Sequence, residues 1–247
     1  MSALNPQKRI TILGIPIDNL TENEALTQIA TFLANGDPHQ IVTVNPEFVM
    51  EAQQNAPFRE VLCQADLAAP DGFGLVLAAR WLRNPLRGRV TGVALTHRLA
   101  ALAAKKGYRL FLLGAAPGVA EQAAQVLQET YPGLQIAGCF AGSPHPRHEP
   151  FLRQIILAAR PDILLVAYGH PRQDLWIARN QPFLRVPVAM GCGGVFDYLT
   201  GRVPFAPAWI RSLGLEWLYR LVSQPHRWRR ILVAVPLFAW AVWRAER

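Results

Sequence analysis

An α/β fold, with a mostly parallel sheet flanked by helices, is predicted by three observations. Short aliphatic and β-branched runs alternate with segments of helical periodicity through about residue 195. Several of those runs end in Gly, Pro or short polar residues. Beyond Phe205 the pattern becomes helical alone. With 51% hydrophobic and 17% charged residues in a chain of 247, the apolar fraction is ample for a packed core and argues against disorder.

The elements follow in order. Ile10–Ile15 reads as the strand that opens the sheet. Thr21 and Glu24 have capping-box spacing, and Ala25, Leu26, Ile29, Ala30 and Leu33 then recur at helical spacing until Gly36 ends the helix. Strand 41–44 follows, then helices at 46–55 and 57–65, and strand 67–69 entering the turn Pro70-Asp71-Gly72. Helices near 74–83 and 93–106 precede strand 109–113, which passes through a glycine-bearing turn into helix 118–130. Strands at 134–138, 162–167 and 187–190, with helices at 149–159 and 172–181, complete a Rossmann-like alternation. Residues 141–150 read as a loop from their Pro, Gly and His content. Two helical segments, 207–222 and 226–244, end the chain, with Pro225 between them and Pro236 expected to kink the second. These boundaries divide the chain into a core, 1–202, and a helical appendage, 203–247.

Charge is distributed unevenly across that boundary. The chain carries 25 Lys+Arg against 17 Asp+Glu, a formal +8. Residues 1–201 hold 17 basic and 15 acidic side chains, a net +2, whereas residues 202–247 hold 8 arginines against Glu216 and Glu246, a net +6. Only Lys8, Lys105 and Lys106 are lysines. A guanidinium fork matches phosphate oxygens where an ammonium is a point charge, so an anionic partner near the C-terminus is expected.

Cys63, Cys139 and Cys192 are odd in number and widely separated, with neither a disulfide framework nor zinc-ligand spacing, which fits a reduced cytoplasmic setting. The first twenty residues lack a long apolar stretch and a small-residue cleavage site, so no signal peptide is read. Ile231–Trp243 is uninterrupted apolar sequence flanked by arginines. As a helix it reaches only about 20 Å, short of a hydrocarbon core of about 30 Å. It either lies in an anionic bilayer surface, which suits Trp240 and Trp243, or packs as a C-terminal helix on the domain or a partner chain.

In open α/β sheets, ligands bind beyond the carboxyl ends of the strands. Four such ends carry polar residues: Thr43-Val44-Asn45-Pro46, Asp71-Gly72-Phe73-Gly74, Gly169-His170-Pro171-Arg172-Gln173, and Gly191-Cys192-Gly193-Gly194 followed by Asp197. Each alone is ordinary turn chemistry. Gly114-Ala115-Ala116-Pro117-Gly118 matches neither the dinucleotide nor the P-loop glycine pattern, which disfavours an NAD-dependent dehydrogenase or an ATPase. No D-x-D pair is present to hold a divalent metal on a diphosphate.

The joint pattern is more specific. T-V-N-P at 43–46, P-D-G-F-G at 70–74, R-V-T-G at 89–92, L-L-G-A-A-P-G-V at 112–119, G-H-P-R-Q-D at 169–174, G-C-G-G-V-F-D at 191–197 and G-L-E-W-L-Y-R-L at 214–221 resemble, in order, the WecG/TagA/CpsF family of glycosyltransferases. The resemblance implies inverting transfer of N-acetylmannosamine or a related hexose from a UDP-sugar to an undecaprenyl-diphosphate-linked acceptor in cell-surface polysaccharide synthesis, at the inner face of the membrane. Asp71 matches the family's base. Thr43, Asn45, Arg89 and Gln173 match pocket residues that orient sugar, diphosphate or acceptor, and Asp197 is a nucleotide contact, a second carboxylate or a structural cap. Arg220, Arg227 and Arg230 stand at the positions of appendage arginines that close over the nucleotide sugar. Arginine then supplies the charge compensation of a metal, and neither metal nor cofactor is expected.

The chain departs from the family pattern at Ala94, where an acidic residue is usual, and at Asp174, where Glu is commoner. His170 and Cys192 fill variable positions, and His170 before a proline reads as structural. The opposing reading is a basic α/β module that binds nucleic acid. A core at only +2 offers that module no extended footprint, and an apolar run in its tail would be anomalous. The expected partners are therefore the UDP-sugar, the polyprenyl-diphosphate-linked sugar and an anionic membrane surface, without nucleic acid. Oligomeric state is open, a homo-oligomer included.

Overall fold

The computed structural model describes residues 9–207, 209–210, 215–223 and 228–245. Six parallel strands form the central sheet in the order β4-β3-β8-β7-β5-β6, with β3 at His39–Val44, β4 at Leu67–Pro70, β5 at Arg109–Gly114, β6 at Gln135–Phe140, β7 at Ile163–Ala167 and β8 at Val188–Gly191. β3, β4, β7 and β8 are dominated by aliphatic residues with little alternation, as strands covered on both faces require.

Helices α1 (Glu22–Asn35), α5 (Gly92–Lys106) and α6 (Val119–Thr130) bury Ile29, Leu99, Ala103, Ala123 and Leu127 with Leu112, Leu165 and Met190 of the sheet. α7 (Glu149–Ala159) and α8 (Arg172–Leu184) form another core around Trp176, with Leu152, Ile156, Leu164 and Val166. α2 (Pro46–Gln54), α3 (Ala56–Gln64) and α4 (Phe73–Trp81) enclose a third, centred on Phe48, Phe58 and Leu62. The capping box forms as expected: the Thr21 side chain accepts from the Glu24 N–H while Glu24 accepts from the Thr21 N–H at 2.9 Å, and Gly36 closes α1 in the left-handed region.

Ile10–Ile15 does not open the parallel sheet. Leu13 (φ 49°) and Gly14 (φ 77°) turn the chain back, so that β1 (Arg9–Ile12) and β2 (Ile15–Asp18) form a separate antiparallel hairpin. Two consecutive positive φ angles belong to the tight hairpin turn whose twist suits the flanking strands. The sequence pattern presented a continuous apolar run in which that turn was hidden. Arg9 pairs with Asp18 at 2.8 Å, and Asp18 accepts the Ala68 N–H at 2.7 Å, fastening the hairpin to β4.

Two further boundaries differ. α8 continues past residue 181 through Pro182 to Leu184, where the Gln181 side chain bonds both backbone groups of Val186. The glycine-rich end of β8 leads into a short helix, α9 (Val195–Leu199), which glycine content had concealed.

In the C-terminal region, α10 (Glu216–Ser223) precedes α11 (Trp228–Leu232), a wider π-type turn at Val233–Leu237 that contains Pro236, and α12 (Phe238–Ala245). The break expected at Pro236 is thus a π turn, a common cause of kinks. One face of this segment packs on the domain, with Phe238 and Val242 joining the core of α2 and α4, while Leu237, Trp240 and Trp243 remain exposed. No helix among the described residues is long and apolar enough to cross a membrane.

Candidate active site

The site forms where the carboxyl ends of β3 and β4 meet the start of α5. Thr43 pairs with Ala69 and Val44 with Pro70 in parallel register, so T-V-N-P and P-D-G-F-G emerge side by side. The fit between them is tight. Gly72 has φ +104°, and a Cβ at Gly74 would lie 2.7 Å from Pro46 Cγ, so both positions demand glycine. Asn45 caps α2, its side chain accepting the Phe48 N–H at 3.0 Å, with Pro46 in the first turn.

Asp71 leaves β4 with its backbone N–H on Val44 O at 2.7 Å, and its carboxylate accepts the Gly92 N–H at 3.2 Å. Gly92 begins α5, capped by Thr91, and a helix start favours negative charge. The Val90 N–H donates to Pro70 O at 2.7 Å, which holds R-V-T-G against the end of β4 and brings Arg89 to the site. Arg89 Nη1 lies 2.7 Å from Glu216 Oε2 of α10, and both side chains are about one-quarter exposed.

Two cavities meet here, and Asp71 and Glu216 line both. One, of about 380 Å³, is an apolar groove between α4 and the C-terminal helices, walled by Leu77, Trp81, Val235, Phe238 and Trp243, with Asn45 and Glu47 at its polar end. The other, of about 450 Å³, is lined by Arg89, Thr91, His97, Tyr198, Phe205 and Tyr219. In it the rings of Tyr198 and Phe205 stack at 4.8 Å, and His97 Nδ1 lies 3.0 Å from the Tyr131 hydroxyl. Burial lowers the His97 imidazole below its ordinary range.

The residues expected at the site are not all gathered around these cavities. Asp71, Asn45 and Arg89 line them. Thr43 is buried beneath, with Gly92 passing over it. Gln173 lines neither cavity. It is buried, and its Oε1 accepts from the N–H groups of Gly169 (3.1 Å) and Gly193 (2.9 Å), clamping the loop after β7 to the loop after β8. Asp197 lies in the first turn of α9, next to the backbone of Gly194, and also lines neither cavity. Ala94, at the position where an acid was expected, lines the polar cavity. Arg227 and the side chain of Arg220 lie outside the described residues.

Arg230 is described and pairs with Glu47 of α2 at 2.6 Å, with its Nη2 also 3.3 Å from His170 Nδ1. The His170 ring packs against Phe48, with centroids 4.8 Å apart. Burial lowers its pKa below the usual value, and the Glu47 carboxylate partly opposes this. His170 thus sits between Phe48, Glu47 and Arg230, where α2 meets the C-terminal helices. Sequence reasoning did not single out Glu47 or Glu216. The signal for each was adjacency: Glu47 directly follows T-V-N-P, and Glu216 lies within G-L-E-W-L-Y-R-L. Among the described residues no three His, Cys, Asp or Glu side chains are grouped to hold a metal ion.

The model of the WecG/TagA/CpsF glycosyl transferase family matches residues 10–247. The chain belongs to this family. It is similar to an N-acetylglucosaminyldiphosphoundecaprenol N-acetyl-beta-D-mannosaminyltransferase of Bacillus spizizenii, at 37% identity over 88% of this chain and 83% of the relative. Enzymes of the same name from Bacillus subtilis (35%; 84% and 80%) and Staphylococcus aureus (33%; 97% and 94%) are also similar. The fold, with its six-stranded parallel sheet, and the assignment as a glycosyltransferase therefore agree with the sequence reading.

Proposed function

We propose that this glycosyltransferase moves N-acetylmannosamine or a related hexose from UDP to N-acetylglucosamine on an undecaprenyl-diphosphate carrier, with inversion, without a metal, and at the inner membrane face. One observation carries this reading: Asp71 stands where an apolar groove and a polar, arginine-bearing cavity meet. An acceptor of that kind joins a sugar to a long hydrocarbon, and a groove lined by Leu77, Trp81, Val235 and Phe238 suits its first prenyl units. The donor is anionic and aromatic. Arg89 in the polar cavity suits its diphosphate, and the rings of Tyr198 and Phe205 suit its base.

In this reading the acceptor hydroxyl gives its proton to the Asp71 carboxylate as its oxygen bonds the anomeric carbon. The bond from that carbon to the diphosphate breaks, and the electron pair leaves with UDP. The Gly92 N–H holds the carboxylate in place. Arg89 stabilises charge gathering on the leaving diphosphate, and Arg220, Arg227 and Arg230 supply further positive charge as the appendage closes.

The test replaces Asp71 with Asn, which keeps shape and removes the base. Transfer from UDP-N-acetylmannosamine to a short-chain prenyl-diphosphate N-acetylglucosamine, assayed with EDTA present, should fall by about 10² to 10⁴ while the melting temperature is kept. Undiminished transfer by Asp71→Asn would remove Asp71 as the base, and loss of wild-type transfer in EDTA would remove metal independence.

A further inference from the structure

The apolar groove has two walls, and only one belongs to the appendage. The other is α4 of the core, a nine-residue helix that begins two residues after Asp71. Its inner face, Leu75, Ala78 and Ala79, is buried against the hairpin and α2. Its outer face repeats at every fourth residue: Phe73 is 36% exposed, Leu77 49% and Trp81 62%. Apolar exposure therefore rises along the helix away from the catalytic end. Isolated surface apolar residues need no explanation, but a contiguous stripe that ends in a largely exposed tryptophan does.

The charges around this stripe identify what covers it. Residues 72–90 contain four arginines, Arg80, Arg83, Arg87 and Arg89, and no Asp or Glu. Arg87 is held by Glu24 at 2.7 Å and Arg89 by Glu216 at 2.7 Å. Arg80 and Arg83 are exposed and make no ion pair among the described residues. The core's modest net charge thus conceals a local basic segment attached to an apolar one. Across the groove α12 has the same composition, with exposed Trp240 and Trp243 and with the Arg244 guanidinium 5.3 Å from the Trp240 ring centroid. Tryptophan beside arginine at the border of an apolar face is the chemistry of an anionic bilayer surface, where the ring sits at headgroup level and the guanidinium meets lipid phosphate.

We propose that α4 is a second membrane-contacting element, which inserts Leu77 and Trp81 into an anionic bilayer with Arg80 and Arg83 at the headgroups and so sets the height of Asp71 above the membrane. Because α4 is about 13 Å long, its first turn lies within that distance of the lipid surface. A sugar held to a prenyl chain by one diphosphate occupies the same zone. The bilayer-facing surface then comprises both walls of the groove, and a prenyl chain enters the groove from lipid without crossing water. This rests on the reading of the acceptor as lipid-linked, but its test uses no sugar substrate, so the two fail separately.

The full chain is sedimented with vesicles of phosphatidylcholine alone and of phosphatidylcholine with phosphatidylglycerol. Wild type should partition to the phosphatidylglycerol vesicles. Leu77→Glu with Trp81→Glu should weaken that partition about tenfold or more, and Arg80→Ala with Arg83→Ala should weaken it about tenfold on anionic vesicles only. Phe151→Glu with Leu157→Glu, exposed positions on α7, should leave it unchanged. The proposal is overturned by wild-type-like partition of the α4 variants or by an equal loss in the α7 pair. It is also overturned if the Leu77/Trp81 variant changes only the oligomeric state in sedimentation, which would make the stripe a contact between copies. Melting temperatures confirm that each variant is folded.

Discussion

Arg89 donates from Nη1 to Glu216 Oε2 at 2.7 Å, so the guanidinium that opens R-V-T-G is held by a carboxylate of the C-terminal helix α10, 127 residues away. A diphosphate entering the polar cavity would compete with that carboxylate for the same cation. Binding of a nucleotide then loosens α10 from the core, or is opposed by α10 until it moves. Glu216→Gln should therefore tighten UDP by about threefold to tenfold, and Arg89→Ala should weaken it by about tenfold or more. Titration calorimetry with UDP reads both. If neither variant shifts the affinity, Arg89 is not a diphosphate contact.

Much of the fold was legible because its signals are local. Thr21 with Glu24 and Gly36 after a periodic run each mark an end of α1 through local capping, and each forms in the structure. Asp71, Asn45 and Arg89, expected from strand ends and from the family resemblance, do line the two cavities. Other features escaped. The turn at Leu13-Gly14 places a non-glycine residue in the left-handed region, which an apolar run does not show, and Glu47 and Glu216 form their ion pairs only when the C-terminal helices pack against the parallel-sheet domain. Gln173 lies in the expected motif, yet its side chain turns inward to hold two loops, and spacing does not show that direction.

That clamp has a measurable weight. Gln173→Leu fills similar space but removes the acceptor for the N–H groups of Gly169 and Gly193. Leaving such groups unpaired costs about 1 to 3 kcal/mol, which lowers the melting temperature by several degrees in a chain of this size. The loops stand at the carboxyl ends of β7 and β8, and β8 adjoins β3, so kcat should fall with the stability while UDP affinity changes less. A variant as stable as wild type would show that the two loops are held without Gln173.

The contact of Arg230 with Glu47 fastens the C-terminal helices to α2 next to the apolar groove. Arg230 is half exposed, and an ion pair of this kind contributes under about 1 kcal/mol, so Glu47→Gln should hardly change the melting temperature. It should instead raise the rate of backbone hydrogen exchange across residues 228–245, because Arg230 is the described cation that anchors this segment to Glu47 and His170. Exchange unchanged in that segment would show that the apolar contacts of Phe238 and Val242 hold it alone.

Asp174 lies one residue beyond the clamp and is fully buried behind Gly191, where even a methyl group would come within 2.5 Å of its carboxylate. Burial pushes its pKa up to about 7, although the Gln173 side chain and the local backbone act in the opposite direction. An unfolded aspartate titrates near pH 4, so between about pH 4 and pH 7 the folded state holds a proton that the unfolded state has released. Stability must then fall as pH rises through that window, and level off above it. Asp174→Asn carries no titrating proton and keeps the shape of the neutral acid. The difference in unfolding free energy, variant minus wild type, should therefore grow from about pH 5 to pH 8 by a few kcal/mol. Urea unfolding at several pH values isolates this contribution, because other titrating groups cancel in the difference. A difference that stays constant with pH would mean that Asp174 does not hold its proton in the folded chain.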